Sequence, residues 1–294
     1  MKIAIYGQYY QNSTEPIIRD IFIFFTKNKV ELVIEASFLE MLYEKKIIKE
    51  QYSTFSSHTE LDQSFDMLIS IGGDGTMLRA ATLIRNSRIP ILGINAGRLG
   101  FLATVQKEKI DEFLQIVIDK KYTLSKRTLL SLSCDPVNDS LQDINFAMNE
   151  ITVSRKDTTS MITIETFLNG EYLNSYWADG LIVSTPTGST GYSLSCGGPI
   201  FTPDVKGLVI TPIAPHNLNA RPLVIPDETE VKLKVSGREE YYLVSLDSRV
   251  ISVRNESILT ITKTPFEINM VEIPNETFLK TLRTKLLWGE DRRN

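Results

Sequence analysis

At 294 residues, 42% of them hydrophobic, the chain can bury a large core, and its length suggests about two domains. Thirty-two Lys and Arg against 36 Asp and Glu leave a formal net charge of −4, with no global attraction for nucleic acid or an anionic membrane. An anionic ligand would then need local help from Arg side chains, helix ends or a metal ion.

From the first residues onward, strands are predicted to alternate with helices. Strands at 2–6, 31–36, 67–71 and 89–94 are interleaved with helices at 15–28, 39–50 and 76–86, which predicts a parallel sheet covered by helices. A helix follows at 107–120, with Ile110, Phe113, Leu114 and Val117 on one side. Beyond it strands take over, at 122–134, 144–154, 162–168, 181–184, 209–213, 229–235, 241–246 and 258–261, the pattern of a sandwich or similar β-domain. A helical pattern returns at 275–288, with Phe278, Leu279, Leu282 and Leu286 on one face. A lone terminal helix cannot bury itself, so it is expected to pack back on the α/β part. The expected class is α/β plus all-β, with domains at 1–104 and 105–272 and a returning segment at 273–294.

Cys134 and Cys196 are the only cysteines. They make neither a disulfide framework nor a four-ligand zinc site, so no metal-ligating residues are predicted, and they fit a reducing compartment. The N-terminus reads as a strand and a turn rather than a signal peptide, and no run is long enough to span a membrane. A cytoplasmic chain with no nucleic-acid or membrane partner is expected.

Two motifs carry chemistry. In Ile69-Ser-Ile-Gly-Gly-Asp-Gly-Thr76 an apolar strand stops at three glycines around one carboxylate, just before a helix. Gly72, Gly73 and Gly75 let backbone amides approach a phosphate, Thr76 adds a hydroxyl, and the helix N-terminus favours the anion. Asp74 would repel a phosphate unless it binds Mg²⁺ or accepts a proton, which argues for phosphoryl transfer more than simple binding. The bland alternative is a tight turn, since Gly and Asp are ordinary turn residues. The second motif runs from Ala178 to Pro199, where a short apolar strand enters a loop of hydroxylated residues and glycines before Tyr192. Such a loop offers hydroxyls and amides to a polar ligand, and Tyr192 can stack on a planar ring.

These motifs, with Gly93-Ile-Asn-Ala-Gly-Arg-Leu-Gly-Phe101, Asn149-Glu150 and Pro212-Ile-Ala-Pro-His-Asn-Leu-Asn-Ala-Arg-Pro222, resemble the NAD kinases over most of the chain. That family transfers the γ-phosphate of ATP to the adenosine 2′-hydroxyl of NAD. The resemblance implies a Rossmann-like N-terminal α/β domain that binds nucleotide, a β-sandwich-like NAD-binding domain, and a C-terminal helix on the first. It also implies ATP or polyphosphate as donor, Mg²⁺ as the accompanying cation, and a homodimer or homotetramer. Asp74 matches the proposed general base, Gly75 and Arg79 match positions near the nucleotide, and Asn149 and Glu150 match the pair that reads the substrate. Asp179 matches a carboxylate facing the nicotinamide riboside. Thr187, Thr190, Tyr192 and Ser195 match hydroxyl positions around the dinucleotide, and Ala214 matches a backbone contact. Gly191 stands where the family usually has alanine, and Trp177 where many relatives carry a charge. Trp177 could cover the nicotinamide ring or merely pack, and His216 could touch ligand or be structural. Two alternatives stand beside this reading: a lipid or sugar kinase sharing the GGDG run, which the loop from Asp179 to Pro199 argues against, and a non-catalytic NAD(P) sensor, which Asp74 argues against.

Overall fold

A computed structural model of the chain describes residues 1–8, 11–97, 99–105, 110–156 and 160–287. Arg98, Lys107 and Trp288, which fall in stretches named above, lie outside the described residues. The first strands and helices are β1 (Lys2–Gly7), α1 (Gln11–Lys27), β2 (Glu31–Glu35), α2 (Ala36–Glu44), β3 (Ser53–Phe55), β4 (Met67–Gly72), α3 (Asp74–Ile84), β5 (Ile91–Asn95), α4 (Ile110–Ile118) and β6 (Thr123–Arg127). Then come β7 (Leu130–Asp135), β8 (Phe146–Ala147), β9 (Glu150–Ser154), β10 (Ile162–Leu168), β11 (Glu171–Ala178), β12 (Gly180–Ser184), α5 (Tyr192–Ser195), β13 (Gly207–Ile213) and β14 (Leu223–Pro226). The chain ends with β15 (Val231–Ser236), β16 (Tyr241–Leu246), β17 (Arg249–Arg254), β18 (Ile258–Lys263), β19 (Ile268–Glu272) and α6 (Phe278–Leu286). Two compact units result, Met1–Lys126 with Ile268–Asn294, and Arg127–Glu267. Among the described residues no helix is long and apolar enough to cross a membrane.

The first unit is built on one sheet of order β3-β2-β1-β4-β5-β19-β6, in which β1 to β5 pair in parallel. Residues of β4 are buried throughout, as a parallel strand covered on both faces requires. Ile3, Ile5, Ile69 and Ile71 share a core with Ile17, Ile18 and Ile21 of α1 and with Phe113 and Leu114 of α4. Full burial of one such side chain is worth about 1.5–3 kcal/mol. Because α4 packs on α1, this unit runs past residue 104 to Lys126. Helix α2 starts where the Glu35 carboxylate accepts the Phe38 N–H at 2.8 Å. It ends six residues before the expected limit of 50, since Lys46 takes a left-handed φ of 56° that no α-helix can continue through. In α6, Thr277 caps the Lys280 N–H and Leu282 is buried, but Leu279 and Leu286 face solvent, so its apolar face is narrower than the sequence pattern suggested.

The second unit is a sandwich of two antiparallel sheets, β11-β10-β15-β18-β7-β8 and β14-β13-β12-β9-β16-β17. Leu132, Ile164 and Leu259 from one sheet and Val153, Leu181 and Val244 from the other meet in one core. Two expected strands are each broken in two. The 122–134 stretch is β6 and β7, which belong to different sheets, and 144–154 is β8 and β9, where Met148 and Asn149 carry the chain from one sheet to the other. Of the strands that alternation did not reveal, β3, β11, β14 and β17 are sheet edges, where little burial enforces a pattern; the fifth, β19, lies inside the first sheet between β5 and β6, so residues 268–272, expected in the β-domain, belong to the first unit.

Candidate active site

In the first unit, β4 ends at Gly72, whose φ of 155° suits glycine, and an added Cβ there would lie 2.2 Å from Thr76 Oγ1. Thr76 itself is fully buried and donates to Gln8 Oε1 at 3.3 Å, so its hydroxyl holds the turn closed. The backbone at Gly73 and Gly75 is open, with nothing within 4 Å of where a Cβ would stand. Asp74 opens α3, and its carboxylate is gripped by the loop after β5. Oδ1 accepts the N–H groups of Leu102 and Ala103 at 3.0 and 3.1 Å, and Oδ2 accepts that of Phe101 at 2.9 Å. A carboxylate has about four acceptor directions, so one on Oδ2 is left for a further donor. The loop fits so closely that a Cβ at Gly100 would stand 1.9 Å from Asp74 Oδ1. From behind, the Phe101 ring lies 6.3 Å from that of Phe278, and the Lys285 ammonium sits 4.8 Å from its centroid. The terminal helix thus rests on the loop that aims Asp74. Arg79 is exposed one turn along α3.

In the second unit the Ala178–Pro199 segment does two things. Strand β12 pairs with β9 and β13, placing Glu150 opposite Ser184 and Gly180 opposite both Ser154 and Ile213. The chain then folds over the outer face of that sheet. The Thr185 N–H and Oγ1 bond the Asn149 and Met148 carbonyls, a 3₁₀ turn runs over Thr187–Thr190, and Ser193 Oγ meets Thr211 Oγ1 at 2.8 Å. Gly188 is required, since a Cβ would lie 2.2 Å from the Asn149 carbonyl oxygen. This cover buries β12 on both faces and explains hydroxyls at full burial, Ser184, Ser189 and Ser193 among them.

The fold-over brings Asn149, Glu150, Gly191 and Tyr192 together. A Cβ on Gly191 would stand 3.0 Å from Glu150 Oε2 and 3.5 Å from Asn149 Nδ2, so the glycine clears room beside both. Asn149 Oδ1 and Glu150 Oε2 are buried polar atoms with no hydrogen-bond partner. Burial raises the Glu150 carboxyl to about 8, with the Asp247 charge adding to the shift and the Tyr192 N–H opposing it. Asp247, in the two-residue turn between β16 and β17, is buried and accepts the N–H groups of Met148, Asn149 and Glu150 at 3.0, 2.8 and 3.3 Å. Its pKa is raised by burial too, but those three amides and Arg249 pull against the rise. Glu150 has a single opposing N–H, so of the pair it is Glu150 that keeps a proton.

Asp179 pairs with Arg155 at 3.1 Å. Burial raises the Tyr192 phenol, with Cys196 and Asp179 near enough to add to it, and the ring is 46% exposed. Ala214, exposed at a φ of 42°, follows the residue that pairs with Gly180. Thr187 is nearly buried, Thr190 donates to the Thr187 carbonyl, and Ser195 is exposed. The Trp177 and His216 rings lie 4.5 Å apart, and the His216 N–H bonds the Trp177 carbonyl, so His216 packs. Sequence reasoning missed Gln8, Arg155 and Asp247. A Leu-Asp-Ser-Arg turn between two alternating runs was the one available signal, for Asp247. Among the described residues no three His, Cys, Asp or Glu side chains converge to hold a metal.

Residues 7–122 match the model of the ATP-NAD kinase N-terminal domain, and residues 148–273 that of the ATP-NAD kinase C-terminal domain. An NAD kinase of Flavobacterium johnsoniae is 74% identical over 294 residues, all of both chains. Among solved structures, an NAD kinase from Archaeoglobus fulgidus in complex with ATP aligns with a TM-score of 0.73 at 25% identity, covering 97% of each chain. A yeast NADH kinase complexed with NADH aligns at 0.88 and 23% identity, covering 99% of this chain and 88% of that one, and shares the fold.

Proposed function

We propose a division of labour for this chain, which belongs to the ATP-NAD kinase family and transfers the γ-phosphate of ATP to the adenosine 2′-hydroxyl of NAD to give NADP. The second unit reads NAD. Asn149 and Glu150 hydrogen-bond the adenosine, and Tyr192 stacks beside it. Thr187, Thr190, Gly191, Ser195 and Ala214 line the dinucleotide, and Asp179 faces the nicotinamide riboside. The observation that carries this reading is the pair Asn149 Oδ1 and Glu150 Oε2. Leaving a polar atom buried and unpaired costs about 1–3 kcal/mol, a cost that a ligand bonding both would remove.

The first unit supplies the chemistry. The acceptor direction left on Asp74 Oδ2 takes the proton of the 2′-hydroxyl as phosphate arrives, while three N–H groups fix the carboxylate's orientation. Alignment of this kind supplies much of the rate in phosphoryl transfer. The open backbone at Gly73 and Gly75, with Gly72 shaping the turn, gives the ATP phosphates a close approach at the start of α3. Thr76 acts by holding that turn, and Arg79 offers its charge from one turn along the helix. Mg²⁺, which favours substrate phosphates with few protein ligands, would supply charge neutralisation on ATP. A cytoplasmic location fits the two free thiols, and a homodimer or homotetramer rests on the family resemblance.

The test is NADP formation from NAD, ATP and Mg²⁺ beside calorimetric NAD binding. Turnover with binding at one site per chain is expected. Binding without turnover under any phosphoryl donor would leave the sensor reading in its place.

A further inference from the structure

One pocket of the first unit lies apart from Asp74 and has no part in the proposed chemistry. It measures about 510 Å³ and is walled by the second half of α1 and by residues 46–52. Its floor is apolar, made by the buried side chains of Phe22, Ile47 and Ile48 with Tyr52 beside them. At its edge Ile23, 66% exposed in mid-helix, carries the apolar lining out to the rim. The rim is cationic. Lys27, Lys46 and Lys49 all line it against one carboxylate, Glu50, whose charge the neighbouring Lys49 favours, so the rim carries an excess of positive charge. In a chain of net charge −4, three ammonium groups to one carboxylate around one apolar floor are a local inversion.

The walls are fixed without a ligand. Arg19 donates to the Ile47 and Lys46 carbonyls at 2.6 and 3.2 Å while Glu15 holds its other edge. Lys46 turns the chain with its left-handed φ, and Tyr43 Oη donates to the Glu50 carbonyl at 2.8 Å. Pockets of this size that are largely formed in advance suit small molecules, and a helix about 10 Å across would not enter. The Phe22 and Tyr52 rings meet edge to face at 5.1 Å, so they form no parallel slot for a planar base. What remains is a hydrocarbon body with an anionic head.

We propose that this pocket binds an alkyl-chain carboxylate, its chain on Phe22, Ile23, Ile47 and Ile48 and its head at Lys27, Lys46 and Lys49. The inference stands independently of the assignment of roles to Asp74, Asn149 and Glu150.

Titrating the full chain with octanoate, decanoate and dodecanoate below their micellar range tests it, followed by calorimetry and melting temperature. One saturable site per chain is expected, with each added pair of methylenes tightening binding about tenfold. The double variant Lys27→Glu/Lys49→Glu should weaken dodecanoate by about tenfold or more, and Ile23→Asn should weaken it while melting like the wild type and forming NADP at the same rate. Absence of saturable binding would overturn the proposal. So would equal affinity for dodecyltrimethylammonium, or affinity unchanged in the double variant.

Discussion

Asp247 and Glu150 hold each other's main chain. The Asp247 N–H donates to the Glu150 carbonyl at 3.0 Å, and the Glu150 N–H donates to the Asp247 carboxylate at 3.3 Å. Two acids are thereby fixed together in a buried place, one in the β16–β17 turn and the other at the start of β9. Burial first, and the neighbouring Asp247 charge second, disfavour the ionised form and leave Glu150 protonated at neutral pH. A protonated Glu150 can donate as well as accept, a property useful for reading adenosine.

Stability should therefore depend on pH through Glu150. Its folded pKa of about 8 lies above the ordinary 4.5, so the folded state binds more protons between those values. Stability is then full below about pH 4.5 and falls as pH rises through 8. Relative to Glu150→Gln, the wild type should lose on the order of a few kcal/mol between pH 5 and 9 in urea unfolding. Parallel curves for the two proteins would refute the assignment.

Replacing Asp247 by alanine strips an acceptor from three amides at once. Unfolding free energy should fall by about 3 kcal/mol, and the Asn149–Glu150 turn should loosen. Steady-state kinetics are expected to show KM for NAD rising about tenfold or more while kcat falls less. A change confined to kcat would place Asp247 in the chemical step instead.

Asp74→Asn turns an amide group toward N–H donors that now meet carboxylate oxygen. Some 1–3 kcal/mol of stability should go with it, and kcat should fall by about 10²–10⁴. NAD affinity by calorimetry should change little. A kcat within tenfold of wild type would remove Asp74 as the proton acceptor.

Phe278 acts through Phe101, so Phe278→Ala should lower kcat several-fold and leave KM for NAD alone. The aromatic pair is worth about 0.5–1.5 kcal/mol, and Phe278→Leu should recover most of the rate. Equal kcat in wild type and the alanine variant would show that α6 does not steady the Asp74 loop.

The legible parts were those under strong physical constraint. Continuous apolar runs such as Met67–Gly72 and the period of Ile110, Phe113, Leu114 and Val117 report burial directly. Edge strands β3, β14 and β17 carry little such signal because one side meets solvent. The break between β8 and β9 was hidden because the short polar pair Asn149-Glu150 sits between the apolar residues Phe146, Ala147 and Met148 on one side and Ile151 and Val153 on the other and can be read as part of one strand; what turns the chain there is Asp247, about a hundred residues away. Residues that touch a ligand sit in short conspicuous motifs. Those that hold them, Gln8, Arg155 and Asp247, act over long sequence separations and leave no local mark. Thr76 shows the converse, since its place in a phosphate-like motif suggested contact with ligand although its hydroxyl is fully buried.

The sheet of the first unit has a consequence for the order of events on the ribosome. Strand β19 lies between β5 and β6, so β6 joins the sheet only beside a strand synthesised some 140 residues later. When residues 1–126 have emerged, β5 has an open edge and β6 has no neighbour. The sandwich at Arg127–Glu267 carries its own core and can close while that edge still waits. The half that begins first is thus the half that finishes last, and a nascent chain stalled before β19 would present an uncovered strand edge as its main hazard.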